Sequence, residues 1–113
     1  MKMEKSGRPG RTKRSDCPVS SALDVFGDRW TLVVVRDLAC GKTRFGELLA
    51  APENIPTNIL ADRLKQLEAV EVIERVAYQE RPMRYEYRLT EKGRDLAPVL
   101  QAMAEWGSKH AGD

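Results

Sequence analysis

The apolar positions of this chain change their period along its length, and the changes mark out its elements. Ala22, Leu23, Val25 and Phe26 give a short helix one apolar side. Cys17 stands at or just before its N-cap, and Pro18 starts it, since proline fits a first helical turn. Gly27 suits its C-terminal turn. Asp28 then offers a cap to the run WTLVVVRDLA, in which Trp30, Leu32, Val33, Val34, Val35 and Leu38 are apolar nearly all round. Such an element is buried. Its β-branched run also suits a strand, but its length and its Ala-Cys-Gly ending favour a helix, with Cys40 as a buried packing residue. Gly41-Lys42-Thr43 is a turn, and Thr43 is the expected N-cap of a third helix opened by Arg44 and Phe45 and turned inward by Leu48 and Leu49. The cluster Ala51-Pro52-Glu53-Asn54 breaks it. A longer amphipathic helix follows from about Pro56. Leu60, Leu64 and Leu67 fall on one side, with Ile59 on the flank. Asn58, Ala61, Asp62 and Lys65 lie opposite, with Thr57 and Gln66 at the edges.

Beyond this helix the period drops from 3.6 to 2. Val72, Glu74, Val76 and Tyr78 alternate with Ile73, Arg75, Ala77 and Gln79, and Tyr85, Tyr87 and Leu89 alternate with Arg84, Glu86 and Arg88. Two strands joined by Glu80-Arg81-Pro82-Met83 form a β-hairpin, with Pro82 at the tip, where no ladder hydrogen bond is lost. Thr90 caps a final helix with Leu96, Val99, Leu100, Met103 and Trp106 at helical spacing; Pro98 is expected to kink it and Gly107 to end it.

Three helices, a longer helix, a two-stranded hairpin and a last helix make the order of a winged helix-turn-helix: α+β, mainly α. In that architecture the longer helix enters a major groove and the hairpin is a wing on the backbone or in the minor groove. The polar face around Thr57, Asn58, Asp62 and Lys65 is of the kind that reads base edges. Arg81 and Arg84 at the wing tip, and Arg44 at the start of the third helix, are placed to hold phosphates. Each arginine alone has a plainer explanation as a surface ion pair, Arg84 with Glu86 or Glu80 for instance; three at the expected places favour DNA.

Length and charge add bounds. The 113 residues suffice for one domain, expected over 17–110, between a basic tail at 1–16 and a short tail at 111–113. Residues 1–16 hold six Lys or Arg against Glu4 and Asp16, so the net charge of +2 conceals a slightly acidic remainder. The tail's charge serves either solubility or a flexible arm on DNA phosphates. No apolar run approaches a membrane span and no signal peptide is evident, so the expected compartment is the cytoplasm, with no membrane partner. Cys17 and Cys40 are not spaced as a metal site, and the single histidine is His110.

The segments CPVSSALDVFGDRWTLVVVRDLACGKTRFGELL, NIPTNILADRLKQLE and VIERVAYQERPMRYEYRLTEKGRDLAPVLQAMAEWG, over residues 17 to about 107, resemble the HxlR-type helix-turn-helix transcriptional regulators, relatives of MarR-like winged helix proteins. The Cys-Pro-Val start, Trp30-Thr31-Leu32, Arg44-Phe45 with Glu47-Leu48, Arg63-Leu64 with Leu67-Glu68, and Tyr85-Glu86-Tyr87 into Leu89-Thr90 and Gly93 carry the likeness. The resemblance implies a homodimer on a pseudo-palindromic operator, most often a repressor, dimerised through the first and last helices. Val19, Leu23, Phe26, Leu96, Leu100, Met103 and Trp106 are the interface candidates, and a last helix with few partners left in its own chain suits that role. Gly46 departs from a larger polar residue and Pro56 from a common serine or alanine, which removes one phosphate contact.

Cys17 is the candidate for reactive chemistry. The N–H groups of a helix start favour a thiolate, Arg14 adds to this and Asp16 opposes it. In some HxlR-type regulators the matching cysteine senses oxidants, quinones or aldehydes; otherwise Cys17 is a small residue at the dimer seam. No Ser/His/Asp or Cys/His set suggests an enzyme. Gly41-Lys42-Thr43 lacks the glycine and preceding strand of a P-loop. No metal or cofactor is expected, and the alternative to DNA binding is a winged helix used for protein–protein contact.

Overall fold

The computed structural model describes residues 16–112; the basic stretch before Asp16 lies outside them. Eight elements follow in order: α1 (Pro18–Phe26), α2 (Thr31–Ala39), α3 (Phe45–Leu49), α4 (Thr57–Ala69), β1 (Ile73–Glu80), β2 (Met83–Leu89), α5 (Glu91–Arg94) and α6 (Ala97–His110). The WTLVVVRDLA run is helical. It packs against α3, α4, β2 and α6 and supplies Val34, Val35 and Leu38 to the core. The leucine stripe of α4 meets them: Leu60, Leu64 and Leu67 are buried together with Leu48, Ile55, Val72 and Ile73. This burial, rather than helix propensity, holds the short α3 and the longer α4 in place.

Polar contacts tie the helix-turn-helix at both ends of α2. At its start, the Asp28 carboxylate accepts hydrogen bonds from the Trp30 and Thr31 N–H groups, the Thr31 hydroxyl and the Arg63 guanidinium of α4. Burial pulls the Asp28 pKa up, but the Thr31 hydroxyl, those two N–H groups and Arg63 bring it down to about 2. At its end, Arg36 forks onto Glu53 at 2.8 and 2.9 Å and onto the buried Asp37 at 2.9 Å. The Glu53 pKa falls to about 2, chiefly through that Arg36 bond. The turn between α3 and α4 is thus pinned to α2.

The wing is antiparallel, registered from Ile73↔Leu89 to Glu80↔Met83, with a bulge between Ala77 and Gln79. Pro82 is at the tip, after a cis Arg81–Pro82 bond. The base of the wing is anchored twice. The Tyr87 N–H donates to the Thr43 carbonyl at 2.7 Å, and the Thr90 hydroxyl caps Gly93 and donates to the Glu71 and Val72 carbonyls. Gly93 is required here, because a Cβ would lie 2.1 Å from the Val72 oxygen. The result is a winged helix-turn-helix, mostly helical with a two-stranded antiparallel sheet.

Four local expectations need correction. The chain after Thr90 forms two helices, α5 and α6, broken at Asp95–Leu96, and Pro98 lies in the first turn of α6. Proline there lacks only an N–H that no helical carbonyl would have received, so it opens a helix instead of kinking one. Gly107 does not end α6, which runs on to His110 and closes with Ala111 and Gly112 N–H groups on the Gly107 carbonyl. Cys40 is exposed, because it caps α2 beyond the last inward position, Leu38. The N-cap of α3 is Arg44, one residue after Thr43; the Glu47 carboxylate accepts both of their N–H groups and thereby takes over the capping.

Candidate nucleic-acid interface

The outward side of α4 follows from the burial of its other side. With Leu60, Leu64 and Leu67 fixed inward, Thr57, Asn58, Ala61, Asp62, Lys65 and Gln66 are all exposed. Thr57 is the first helical residue and Pro56 precedes it as the N-cap. The Asp62 carboxylate is not an isolated acceptor. It takes hydrogen bonds from Arg63 and from the Gln66 amide at 3.0 Å, and Arg63 in turn reaches Asp28 at 3.2 Å. The Asp62 carboxylate is therefore hydrogen-bonded within α4, by an arginine it shares with Asp28, and the rest of the exposed face is Thr57, Asn58, Lys65 and the Gln66 amide. Gln66 gains a place that its edge position alone did not suggest; the signal was the i, i+4 spacing from Asp62. Among the described residues Lys65 has no ion-pair partner.

The wing presents Arg81 and Arg84 at its tip, both exposed. Among the described residues neither forms an ion pair; Glu86 pairs instead with Arg88 at 3.2 Å and lies 3.9 Å from Arg44. The Arg81 carbonyl accepts the Gln79 amide at 3.3 Å, which tightens the turn. Arg44 lies across the gap between α3 and the wing, with its guanidinium carbon 4.1 Å from the centre of the Tyr78 ring. A cleft of about 530 Å³ opens there, lined by Arg44, Phe45, Tyr78, Met83, Arg84 and Tyr85 among others. On the wing itself Arg75 stacks on Tyr85 at 4.3 Å. The two tyrosine–arginine stacks were not legible as pairs, since each arginine and its ring are far apart in sequence or on different strands.

Exposed apolar side chains also lie on the end helices. Val19 and Leu23 on α1 and Met103 and Trp106 on α6 are exposed, Trp106 by 64%. Phe26 is half-buried, and Leu96 and Leu100 are half-buried against the core. Neither α1 nor α6 has a fully buried residue. Cys17 is the N-cap of α1 and is exposed. Among the described residues no group of three or more His, Cys, Asp or Glu gathers for a metal ion, and no helix is long and apolar enough to cross a membrane.

Comparison with known proteins places this geometry. The HTH-type transcriptional regulator Rv3095 of Mycobacterium tuberculosis is 42% identical over 92 residues, which cover 81% of this chain and 58% of that protein; the chain thus spans little more than half the length of that relative. The reduced form of the transcriptional regulator YodB from Bacillus subtilis superposes with a TM-score of 0.71 at 38% identity, covering 86% of this chain and 98% of YodB. The redox regulator HypR in its oxidized form superposes with a TM-score of 0.77 at 36% identity, covering 86% of this chain and all of HypR. The family model for HxlR-like helix-turn-helix proteins matches residues 25–113, nearly the whole described fold. The chain belongs to the HxlR-like helix-turn-helix family.

Proposed function

We propose that this protein is a homodimeric, sequence-specific DNA-binding transcriptional regulator, acting as a repressor. In each protomer α4 enters a major groove, with Thr57, Asn58 and Lys65 toward base edges and nearby phosphates, and Asp62 orienting Gln66 and Arg63. The wing follows the backbone through Arg81 and Arg84, and Arg44 holds a further phosphate. The observation that carries this is the pairing pattern: among the described residues Lys65, Arg81 and Arg84 form no ion pair, whereas Arg63, Arg75 and Arg88 each pair with a carboxylate. Cations that are not neutralised within the protein are available for phosphates. The exposed side chains of α1 and α6 favour a dimer through Val19, Leu23, Met103 and Trp106, with Phe26, Leu96 and Leu100 behind them. Two such protomers place their α4 helices about 34–36 Å apart on a pseudo-palindromic site.

Cys17 is proposed as a redox or electrophile sensor. It is exposed at the start of α1, the helix that carries the exposed Val19 and Leu23, and HypR, a relative by structure, is described as a redox regulator. Modification there would alter dimer packing and so the spacing of the two reading helices.

The test is selection of bound duplexes from a random pool by the purified protein, followed by a salt titration on the enriched sequence. The expected result is a site with two-fold symmetry and an affinity that falls steeply with salt. No enrichment, or binding indifferent to salt, would contradict DNA recognition. Replacing Cys17 by serine is expected to abolish any release by diamide; an unchanged response would remove Cys17 from the proposal.

A further inference from the structure

The wing carries a residue placed to aim another. Tyr78 lies at the bulge of β1, between the paired residues Ala77 and Gln79, and has no partner of its own on β2. A bulge bends its strand and redirects the side chain it carries. Here the redirected ring lies under Arg44, 4.1 Å from the guanidinium carbon. Arg44 belongs to a different element and is itself fixed at its root. Its N–H donates to the Glu47 carboxylate at 3.0 Å, and the adjacent Thr43 carbonyl receives the Tyr87 N–H at 2.7 Å. Glu86, 3.9 Å from the Arg44 Nε, bounds the side chain on the wing. The Arg44 side chain is still 53% exposed.

This arrangement has a chemical consequence. A guanidinium offers two kinds of surface: a flat face that stacks on aromatic rings and an edge of N–H groups that bond phosphate oxygens. With the guanidinium carbon 4.1 Å from the ring centre, Tyr78 is placed to take the face, which leaves the N–H edge for a phosphate. An arginine free in solvent loses much of its rotamer freedom when it grips a phosphate. One already stacked on a ring loses less, so more of its attraction is realised as affinity.

We infer that Tyr78 is a positioning residue for DNA backbone contact: its ring, turned by the β1 bulge, holds the Arg44 guanidinium with its N–H edge toward a phosphate. The inference rests on the docking proposed above. Arg44 touches the DNA, and Tyr78 acts through Arg44.

The experiment measures affinity for a fluorescein-labelled duplex of random sequence, at several salt concentrations, for the full chain and its variants. Tyr78→Ala is expected to weaken binding about fivefold to thirtyfold over two protomers. It should also lower the slope of log affinity against log salt toward that of Arg44→Ala, about 1.8 below wild type for two lost phosphate contacts. Tyr78→Phe keeps the ring and should bind within about twofold of wild type. Tyr78→Leu keeps apolar bulk without a ring and should behave like Tyr78→Ala. In an Arg44→Ala background, Tyr78→Ala should cost nothing further. Thermal melts identify any variant whose weaker binding comes from unfolding, and the Phe and Leu pair then decides between ring and bulk. If Arg44→Ala weakens binding and Tyr78→Ala does not, the docking stands and the positioning role is overturned. If Tyr78→Ala weakens binding equally with and without Arg44, Tyr78 acts by itself and the inference also fails. If Arg44→Ala binds like wild type, the backbone contact fails at Arg44 and the role of Tyr78 fails with it.

Discussion

Replacing Asp28 by alanine removes a single carboxylate shared by the N-terminal turn of α2 and by α4. Its two oxygens accept from the Trp30 N–H at 2.7 Å, the Thr31 N–H at 3.0 Å, the Thr31 hydroxyl and the Arg63 Nε at 3.2 Å. Loss of a capping carboxylate costs about 1 kcal/mol. The partly exposed pair with Arg63 adds about 0.2–1 kcal/mol. A loss of about 1.2–2 kcal/mol lowers the Tm of a chain near 100 residues by roughly 5–16 °C. The melt is read by circular dichroism at one fixed protein concentration, since dimerisation would otherwise move the Tm. The effect carries a pH signature. The Asp28 carboxyl titrates at about 2 in the folded chain against its ordinary 3.8. A depressed carboxylate pKa stabilises the fold above the unfolded value, and that stability is lost as pH falls through 3.8 toward 2. The gap between wild type and Asp28→Ala should therefore be full at neutral pH and narrow over that window. Asp28→Asn keeps an acceptor but no charge, so it should lie between the two at neutral pH. An unchanged Tm for Asp28→Ala, or a gap that persists undiminished as pH approaches 2, would refute this role for the carboxylate.

Three further variants test other joints of the fold. Gly93→Ala forces a Cβ to within 2.1 Å of the Val72 oxygen; the cost is expected to be about 3 kcal/mol, seen as a lower urea midpoint with an unchanged slope. Among the described residues Arg36→Ala leaves the buried Asp37 carboxylate with Lys42, 4.0 Å away, as its ion-pair partner, and should destabilise by about 1–3 kcal/mol in the same assay. Arg36→Lys should recover little of that loss, because one ammonium cannot reproduce the two-sided fork. Trp106→Asp, on an α6 that buries none of its residues, should dissociate the proposed dimer in sedimentation experiments while the circular dichroism spectrum stays that of the folded chain. A dimer that survives this substitution would move the interface elsewhere.

The parts of this fold that are legible in the sequence are those fixed by local spacing. Leu60, Leu64 and Leu67 recur at helical intervals and are buried as that spacing requires, and Pro82 occupies the hairpin tip, where its missing N–H costs no ladder bond. Proline and glycine inside an apolar stripe were misleading. Pro98, inside the stripe, is expected to kink a helix, but the α5–α6 break puts it in the first turn of α6 instead. Gly107 is an interior residue tolerated in a helix at a cost of about 1 kcal/mol. Cys40 looked inward because cysteines usually are, but α2 ends before its turn reaches the core again. The contacts that hold the helix-turn-helix were not legible, because Arg63 meets Asp28 across 35 residues and Arg36 meets Glu53 across 17. Hydrophobic period carries no information on such pairs. In the candidate interface, the exposed set on α4 was readable from the buried one. The Gln66–Asp62 bond follows from i, i+4 spacing on one helix, whereas the reach of Arg63 to Asp28 and the placing of Arg44 over Tyr78 depend on tertiary placement.

DNA recognition through α4 and the wing is tested most directly by a gel shift that compares wild type with the double variant Lys65→Ala and Arg81→Ala, on a duplex enriched from a random pool by the wild-type protein. Both side chains are exposed and neither has an ion-pair partner among the described residues, so their removal should leave the fold and the dimer intact. The expected result is loss of the shifted band with an unchanged melt and an unchanged sedimentation profile. A double variant that shifts the duplex as tightly as wild type would contradict the docking of α4 and the wing on DNA.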